Sequence, residues 1–250
     1  MEIKGSLLSL GLEEAAAHLE ELISQAERES WSYSRFLFEA VSLEISSRAR
    51  KREAMLMRLS HLPQVKTLSS FDFTAVPDLD PKVVTELATL RFVDSRENVL
   101  FLGPPGVGKT HLAIALAVEA IRGGHKAYFT TLKEMMERLS RSAASARSMR
   151  AFSSPSLLVI DEVGYLPMGP AEAHLFFQVI SARYERGSVI ITSNKGVGEW
   201  GEYLSDPTLA AAILDRFLHH CHVINIKGDS YRLKERTKGK GKGKVVEGRK

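Results

Sequence analysis

Eight consecutive residues, Gly103, Pro104, Pro105, Gly106, Val107, Gly108, Lys109 and Thr110, follow the pattern G-x-x-x-x-G-K-[ST]. Glycines at this spacing let successive N–H groups turn inward as an anion nest, and a helix starting behind them adds the positive end of its dipole. The chemistry is phosphate binding. Lys109 can reach the β and γ phosphates of a nucleoside triphosphate, and the Thr110 hydroxyl can ligate Mg2+. The bare pattern arises in roughly one random chain per hundred of this length, before any demand for a strand ahead of it and a helix behind it. Both are present: NVLFL precedes the loop, and HLAIALAVEAI, opening at His111, follows it.

Further along, LLVI leads into Asp161 and Glu162. A strand of an α/β sheet presents its last residues at the ligand-bearing edge. There Asp161 is suited to hold Mg2+ through water, and Glu162, facing the other way by strand alternation, to orient or deprotonate an attacking water. A small-molecule kinase has no use for such a base, since its acceptor brings its own hydroxyl, so the pair favours hydrolysis. Asn194 closes the run VIITSN and can reach a γ phosphate or the lytic water, although asparagine after a strand is by itself a common turn residue. Arg216 lies in the otherwise apolar AAAILDRFL. It reads either as a surface or Asp-paired arginine or as an arginine finger, a fixed charge worth about 10³ to 10⁵ in rate when supplied in cis or in trans. Acting in trans, it would put the site between subunits.

These residues need a scaffold. Short apolar runs at 98–102, 127–130, 157–160, 189–192 and 223–226 have the look of strands covered on both faces, and helical patterns at 111–122, 132–141, 171–186 and 207–219 fill the gaps. The expected fold is α/β, a parallel sheet flanked by helices. Ahead of it, apolar residues including Leu37, Phe38, Val41 and Ile45 recur at helical spacing from Leu7 to Leu59, predicting a small all-α domain of two or three helices with a break near residues 30–34. Prolines 63, 77 and 81 mark a linker. The expected organisation is a helical DNA- or partner-binding domain at 1–66, a linker at 67–82, an ATPase domain at 83–236 and a disordered basic tail at 237–250.

Composition sets the limits. The 250 residues are 44% hydrophobic and 26% charged, those of an ordinary folded protein. No apolar run approaches the roughly 18 residues of a membrane span. The lone Cys221 rules out a disulfide framework within the chain and suits a reducing cytoplasm. Net charge is only +4, but it is unevenly spread. Residues 1–47 carry nine glutamates against three Lys or Arg, 48–66 carry six cations against one glutamate, and 234–250 carry eight against two. Clustered cations suit a polyanion such as nucleic acid, with Arg48, Arg50, Lys51, Arg52 and Arg58 as candidate phosphate contacts. A basic tail is as often a solvated terminus. The cluster His219, His220, Cys221, His222 reads as a dipole-favoured helix end rather than a metal site, because successive helical positions do not share a face.

Taken together, GPPGVGKTH, LLVIDEVGYLP, FFQVISARYERGSVIITSN, EWGEYLSDPTLAAAILDRFLHH and GDSYRLKE resemble the IstB group of AAA+ ATPases, the ATP-dependent helpers of bacterial insertion-sequence transposition. The resemblance spans residues 5–235. It implies a P-loop NTPase (AAA+/ASCE) core using ATP and Mg2+, with residues 103–111 and Asp161 holding nucleotide and with Lys109, Glu162, Asn194 and Arg216 serving its hydrolysis. It also implies a head-to-tail homo-oligomer on duplex DNA that recruits or activates a transposase. DnaC-type helicase loaders are a related group and the main alternative; a metabolite kinase is the third. Many AAA+ proteins add a C-terminal helical lid with a sensing arginine, for which Arg232 is the candidate in this chain.

Overall fold

The computed structural model describes residues 3–141, 146–165, 167–228 and 230–231. Its contacts divide the chain into two units, residues 1–55 and 56–250. Arg232 and the basic tail lie outside the described residues.

The first unit is helical. α1 (Ile3–Ser9), α2 (Glu13–Ala17) and α3 (Leu19–Arg28) precede the long α4 (Tyr33–Leu59). Between α3 and α4, Ser30 takes φ 51 and Ser32 caps α4 by accepting the Arg35 N–H at 3.2 Å. Ala15, Ala16 and Leu22 are buried. A polar clamp supplements this small core: Glu44 accepts the Glu14 N–H and the Arg48 Nε, both at 2.9 Å, and Ser47 donates to the Glu14 carboxylate at 2.8 Å. The face of α4 that meets α2 is therefore the one bearing Glu44 and Ser47. Leu37, Phe38, Val41 and Ile45, on the periodic apolar stripe, are exposed.

In the second unit, Leu56 belongs to the main apolar core, and the Ser60 carbonyl accepts the Phe129 N–H at 2.8 Å. These contacts set the division ahead of residue 66, where the sequence pattern puts it. Residues 67–82 are not plain linker. They form 3-10 turns at Leu68–Ser70 and Phe73–Ala75 and the start of α5 (Pro81–Ala88), whose cap Asp80 accepts the Lys82 N–H at 2.8 Å. Asp-Pro at a cap and first helical position is a start signal legible in the sequence. α6 (Arg91–Asp94) follows.

β1 (Asn98–Leu102), β2 (Ala127–Thr131), β3 (Leu157–Val163), β4 (Ser188–Ser193) and β5 (Cys221–Asn225) form one parallel sheet in the order β2-β3-β4-β1-β5. α7 (Lys109–Arg122), α8 (Leu132–Arg141), α9 (Ala146–Ser153), α10 (Pro170–Arg183), α11 (Trp200–Tyr203) and α12 (Pro207–Leu218) complete the unit. Alternation assigns Val99, Phe101, Val159 and Ile190 to the core shared with α5 and α7, and Leu100, Leu158, Ile160 and Ile191 to the core shared with α8, α10 and α12. With both faces covered, β1, β3 and β4 read as near-continuous apolar runs, whereas β5 at the sheet's edge is largely exposed. Trp200 is fully buried beside Phe176, whereas Trp31 lies under the Arg35 guanidinium at 4.6 Å.

At the opposite end of the strands from the glycine loop, Arg183 is 1% exposed and donates to the carbonyls of Phe152 (2.7 Å), Pro155 (3.0 Å), Ser156 (3.3 Å) and Ser188 (2.7 Å). Burial pulls its pKa down to about 10, so it stays charged at neutral pH while tying α10 to the starts of β3 and β4. No helix among the described residues is long and apolar enough to cross a membrane.

Candidate functional site

Residues 103–108 carry the chain from the carboxyl end of β1 to the N-terminus of α7. Gly103 (φ 150), Gly106 (φ 87) and Gly108 (φ 97) lie in the region L side chains avoid. Space also demands glycine: a Cβ on Gly103 would stand 2.2 Å from the Ile226 carbonyl oxygen, and one on Gly108 2.5 Å from the Phe71 ring. No side chain caps α7, which leaves its first-turn N–H groups for an anion. Lys109 Nζ donates to the Gly103 and Pro104 carbonyls at 2.7 and 2.8 Å, drawing the loop into a ring beside Pro105 and the buried Val107.

Thr110 Oγ1 is 2.9 and 3.1 Å from the two oxygens of Asp161, itself 4% exposed. The two residues expected to serve Mg2+ thus touch, although 51 positions separate them in sequence. Asn194, just past β4, is next to this edge, and its Oδ1 is buried without a hydrogen-bond partner among the described residues. An orphaned polar atom, an uncapped helix and a hydroxyl–carboxylate pair fit a magnesium nucleotide well.

Glu162 requires a correction. Simple strand alternation does not separate it from Asp161, because the β3–β4 ladder pairs Ile160 with Ile191 and then Val163 with Ser193, so that two residues of β3 oppose Thr192 alone. Glu162 has φ 63 and is exposed. Its environment still differs from that of buried Asp161, but a bulge is the cause.

A cavity of about 380 Å³ adjoins the loop, bounded by Gly106 to His111 on one side and by Phe71, Ala75, Val76 and Tyr231 on the other. His111 pins the Phe71 segment: its Nε2 donates to the Thr67 carbonyl at 3.0 Å, and its ring packs edge-on to Phe71 at 5.2 Å. The Tyr231 N–H donates to the Gly106 carbonyl at 3.0 Å. A hollow that sets Phe71 and Tyr231 among polar residues such as Gln64 and Asp72, beside a phosphate cradle, can seat a purine base. Sequence reasoning misses Phe71 and Tyr231 because neither stands in a periodic element; the only clue is a pair of aromatics in FDF amid the prolines.

Arg216 is not among the residues lining this cavity. On α12 its guanidinium lies 4.7 Å from the Phe177 ring and reaches the Ala212 carbonyl at 3.4 Å. The candidate phosphate contacts of α4 divide. Arg48 bonds Glu44 and the Gly11 carbonyl (2.8 Å), and Lys51 pairs with Glu13 at 3.4 Å. Arg52 also has a partner, whereas Arg50 and Arg58 are exposed and make no ion pair among the described residues. The histidine cluster departs from its expectation too. α12 closes at Leu218, the His219 and His220 rings lie 4.1 Å apart, and with Glu185 they bring three possible ligand atoms within 4.8 Å, all exposed; His222 bonds Glu97 at 2.6 Å instead. The helical-face argument fails there because the turn, not the helix, sets those side chains.

Residues 5–239 match the family described as IstB-like ATP binding protein. An ATP-binding protein of insertion sequence IS21 from Pseudomonas aeruginosa is 46% identical over 240 residues, covering 95% of this chain and 91% of that protein. One of insertion sequence IS5376 from Geobacillus stearothermophilus is 49% identical over 208 residues, 82% of this chain and 83% of that protein. Among solved structures, the DnaC helicase loader aligns with a TM-score of 0.51 at 21% identity over 58% of this chain and 87% of its own, and AMPPCP-bound DnaA from Aquifex aeolicus with 0.53 at 22% over 72% and 57%. At those identities the likeness speaks for the fold alone, a P-loop AAA+ core. Fold, cradle and sequence agree, and the chain belongs to the family of IstB-like ATP-binding proteins.

Proposed function

We propose that this protein hydrolyses ATP with Mg2+, assembles head to tail on duplex DNA, and in that state recruits or activates the transposase of its insertion sequence. The observation that carries the ATPase reading is the Thr110 hydroxyl resting on the buried Asp161 carboxylate at the mouth of the glycine cradle. Lys109, now spent on two loop carbonyls, is released to the β and γ phosphates when these enter the nest. Thr110 and Asp161 would hold Mg2+, which would supply positive charge against that of the phosphates. Glu162, exposed at the sheet edge, orients the attacking water and takes its proton, while Asn194 directs its unpartnered amide oxygen at that water.

Arg216 is supplied in trans. Its place outside the cradle's cavity supports this, and a finger given to a neighbour makes a heterologous contact that propagates as a ring or spiral. ATP at each interface then favours assembly, and its hydrolysis releases the subunits. The insertion-sequence relatives support a role in transposition rather than helicase loading. A reducing cytoplasm suits the lone Cys221.

The test combines turnover and assembly. Wild-type protein should release phosphate from ATP with no acceptor present and form multimers on duplex DNA with ATP but not ADP, seen by electron microscopy. Lys109→Ala and Arg216→Ala should each be inactive alone and regain activity when mixed. Indifference to magnesium ATP sinks the ATPase reading, and mixtures that stay dead sink the trans finger. A stable complex with a replicative helicase and none with the transposase would favour the loader alternative.

A further inference from the structure

We infer that Thr192 is a positioning residue that fastens Asp161 and Glu162 to each other and to β4, so that metal holding and water activation depend on one hydroxyl. The inference rests on the ATPase reading of those two carboxylates.

Three observations meet at this side chain. In the β3–β4 ladder, Asp161 and Glu162 together oppose Thr192, which leaves the bulged residues without regular pairing on that side. Thr192 Oγ1 accepts the Glu162 N–H at 3.1 Å, taking the place of the missing ladder carbonyl. The same oxygen donates its proton to Asp161 Oδ1. A hydroxyl has one proton to give, and here it goes to the carboxylate while a lone pair serves the amide. Thr192 is 2% exposed, so water cannot stand in for either bond.

The arrangement answers a difficulty of the site. Glu162 holds φ 63, a conformation that a long side chain seldom adopts and that persists only where the surroundings enforce it. Asp161 has two hydroxyl partners, Thr110 and Thr192. Thr110 is itself a proposed metal ligand, so its hydrogen bond must adjust as the metal is taken up. Thr192 has no such second task and stays as the fixed reference, aiming Asp161 while the amide of Glu162 is kept in register one residue on. A strand residue whose side chain, not its backbone, completes the ladder is invisible to hydrophobic pattern; in sequence Thr192 reads only as one more β-branched strand residue.

The test compares full-length Thr192→Val, which keeps the shape and removes the hydroxyl, with Thr192→Ser, which keeps the hydroxyl. In the nucleotide-free protein, the Glu162 amide should exchange its hydrogen about tenfold faster in Thr192→Val. Mn2+ uptake in the presence of AMPPCP, read by electron paramagnetic resonance, should weaken about tenfold or more, while fluorescent-nucleotide affinity without metal stays within about threefold. ATP turnover should fall about 10- to 100-fold in kcat with KM little changed. Thr192→Ser should lie within about twofold of wild type in every readout. Should Thr192→Val not fold, Thr192→Ala takes its place with the same expectations. A serine variant as impaired as valine, or a valine variant with wild-type exchange and Mn2+ uptake, overturns the inference. A wild-type protein that binds magnesium ATP without splitting it would instead refute the ATPase reading, with the exchange and Mn2+ measurements still judging Thr192.

Discussion

At the scale of single residues, the cradle owes its shape to glycine positions with no steric alternative. Gly103 is the sharpest case, because its missing Cβ leaves room for a backbone carbonyl, that of Ile226, which has little freedom to retreat. Gly103→Ala should cost about 3 kcal/mol or more, adding overpacking to a disfavoured φ, and should abolish nucleotide binding. Urea unfolding and a fluorescent-nucleotide titration would check both. The glycine-lysine-threonine signature was legible in the sequence since its spacing alone defines it. Thr192, Phe71 and Tyr231 were not, since their part in the site comes from long-range approach rather than from local pattern.

Elements are held by polar staples as much as by apolar area. Arg183 gathers carbonyls from the starts of β3 and β4 and from the end of α9, and makes no ion pair among the described residues. Arg183→Leu should lower unfolding free energy by about 3 kcal/mol, the cost of leaving several buried carbonyls unpaired, while sparing nucleotide affinity in the folded fraction. In the helical unit, the Arg48 hydrogen bond, helped by the Glu14 and Ala15 N–H groups, holds the Glu44 carboxyl below the usual glutamate range. A lowered acid pKa stabilises above the unfolded value and loses that effect as pH falls through the folded one. Glu44→Gln should therefore reduce thermal stability at pH 7, and the difference from wild type should shrink progressively below about pH 4.5 in circular-dichroism melts. All five strands were legible as short apolar or β-branched blocks, the inner ones because both their faces are buried and β5, largely exposed, through its Val223 and Ile224 alone. α9 and α11 were not, being short helices amid polar residues, and the apolar stripe of α4 predicted a buried face where the structure sets Glu44 and Ser47.

For the molecule as a whole, the charge pattern gives the test of DNA binding. Ion pairs with Glu44 and Glu13 already occupy Arg48 and Lys51, which leaves Arg50 and Arg58 as the better candidates to meet phosphates. Replacing both with alanine should reduce the slope of log affinity against log salt by roughly 2, equally for unrelated duplex sequences. An unchanged slope would move the contact surface elsewhere. The order β2-β3-β4-β1-β5 also governs how the protein is made. The strand under the cradle is translated first of the five, yet its two neighbours, Ser188–Ser193 and Cys221–Asn225, emerge about ninety and one hundred and twenty residues later. A nascent chain on the ribosome accordingly carries its phosphate loop on an unsupported strand until both of those neighbours have left the exit tunnel, so the cradle gains its flanking support well after its own residues are made.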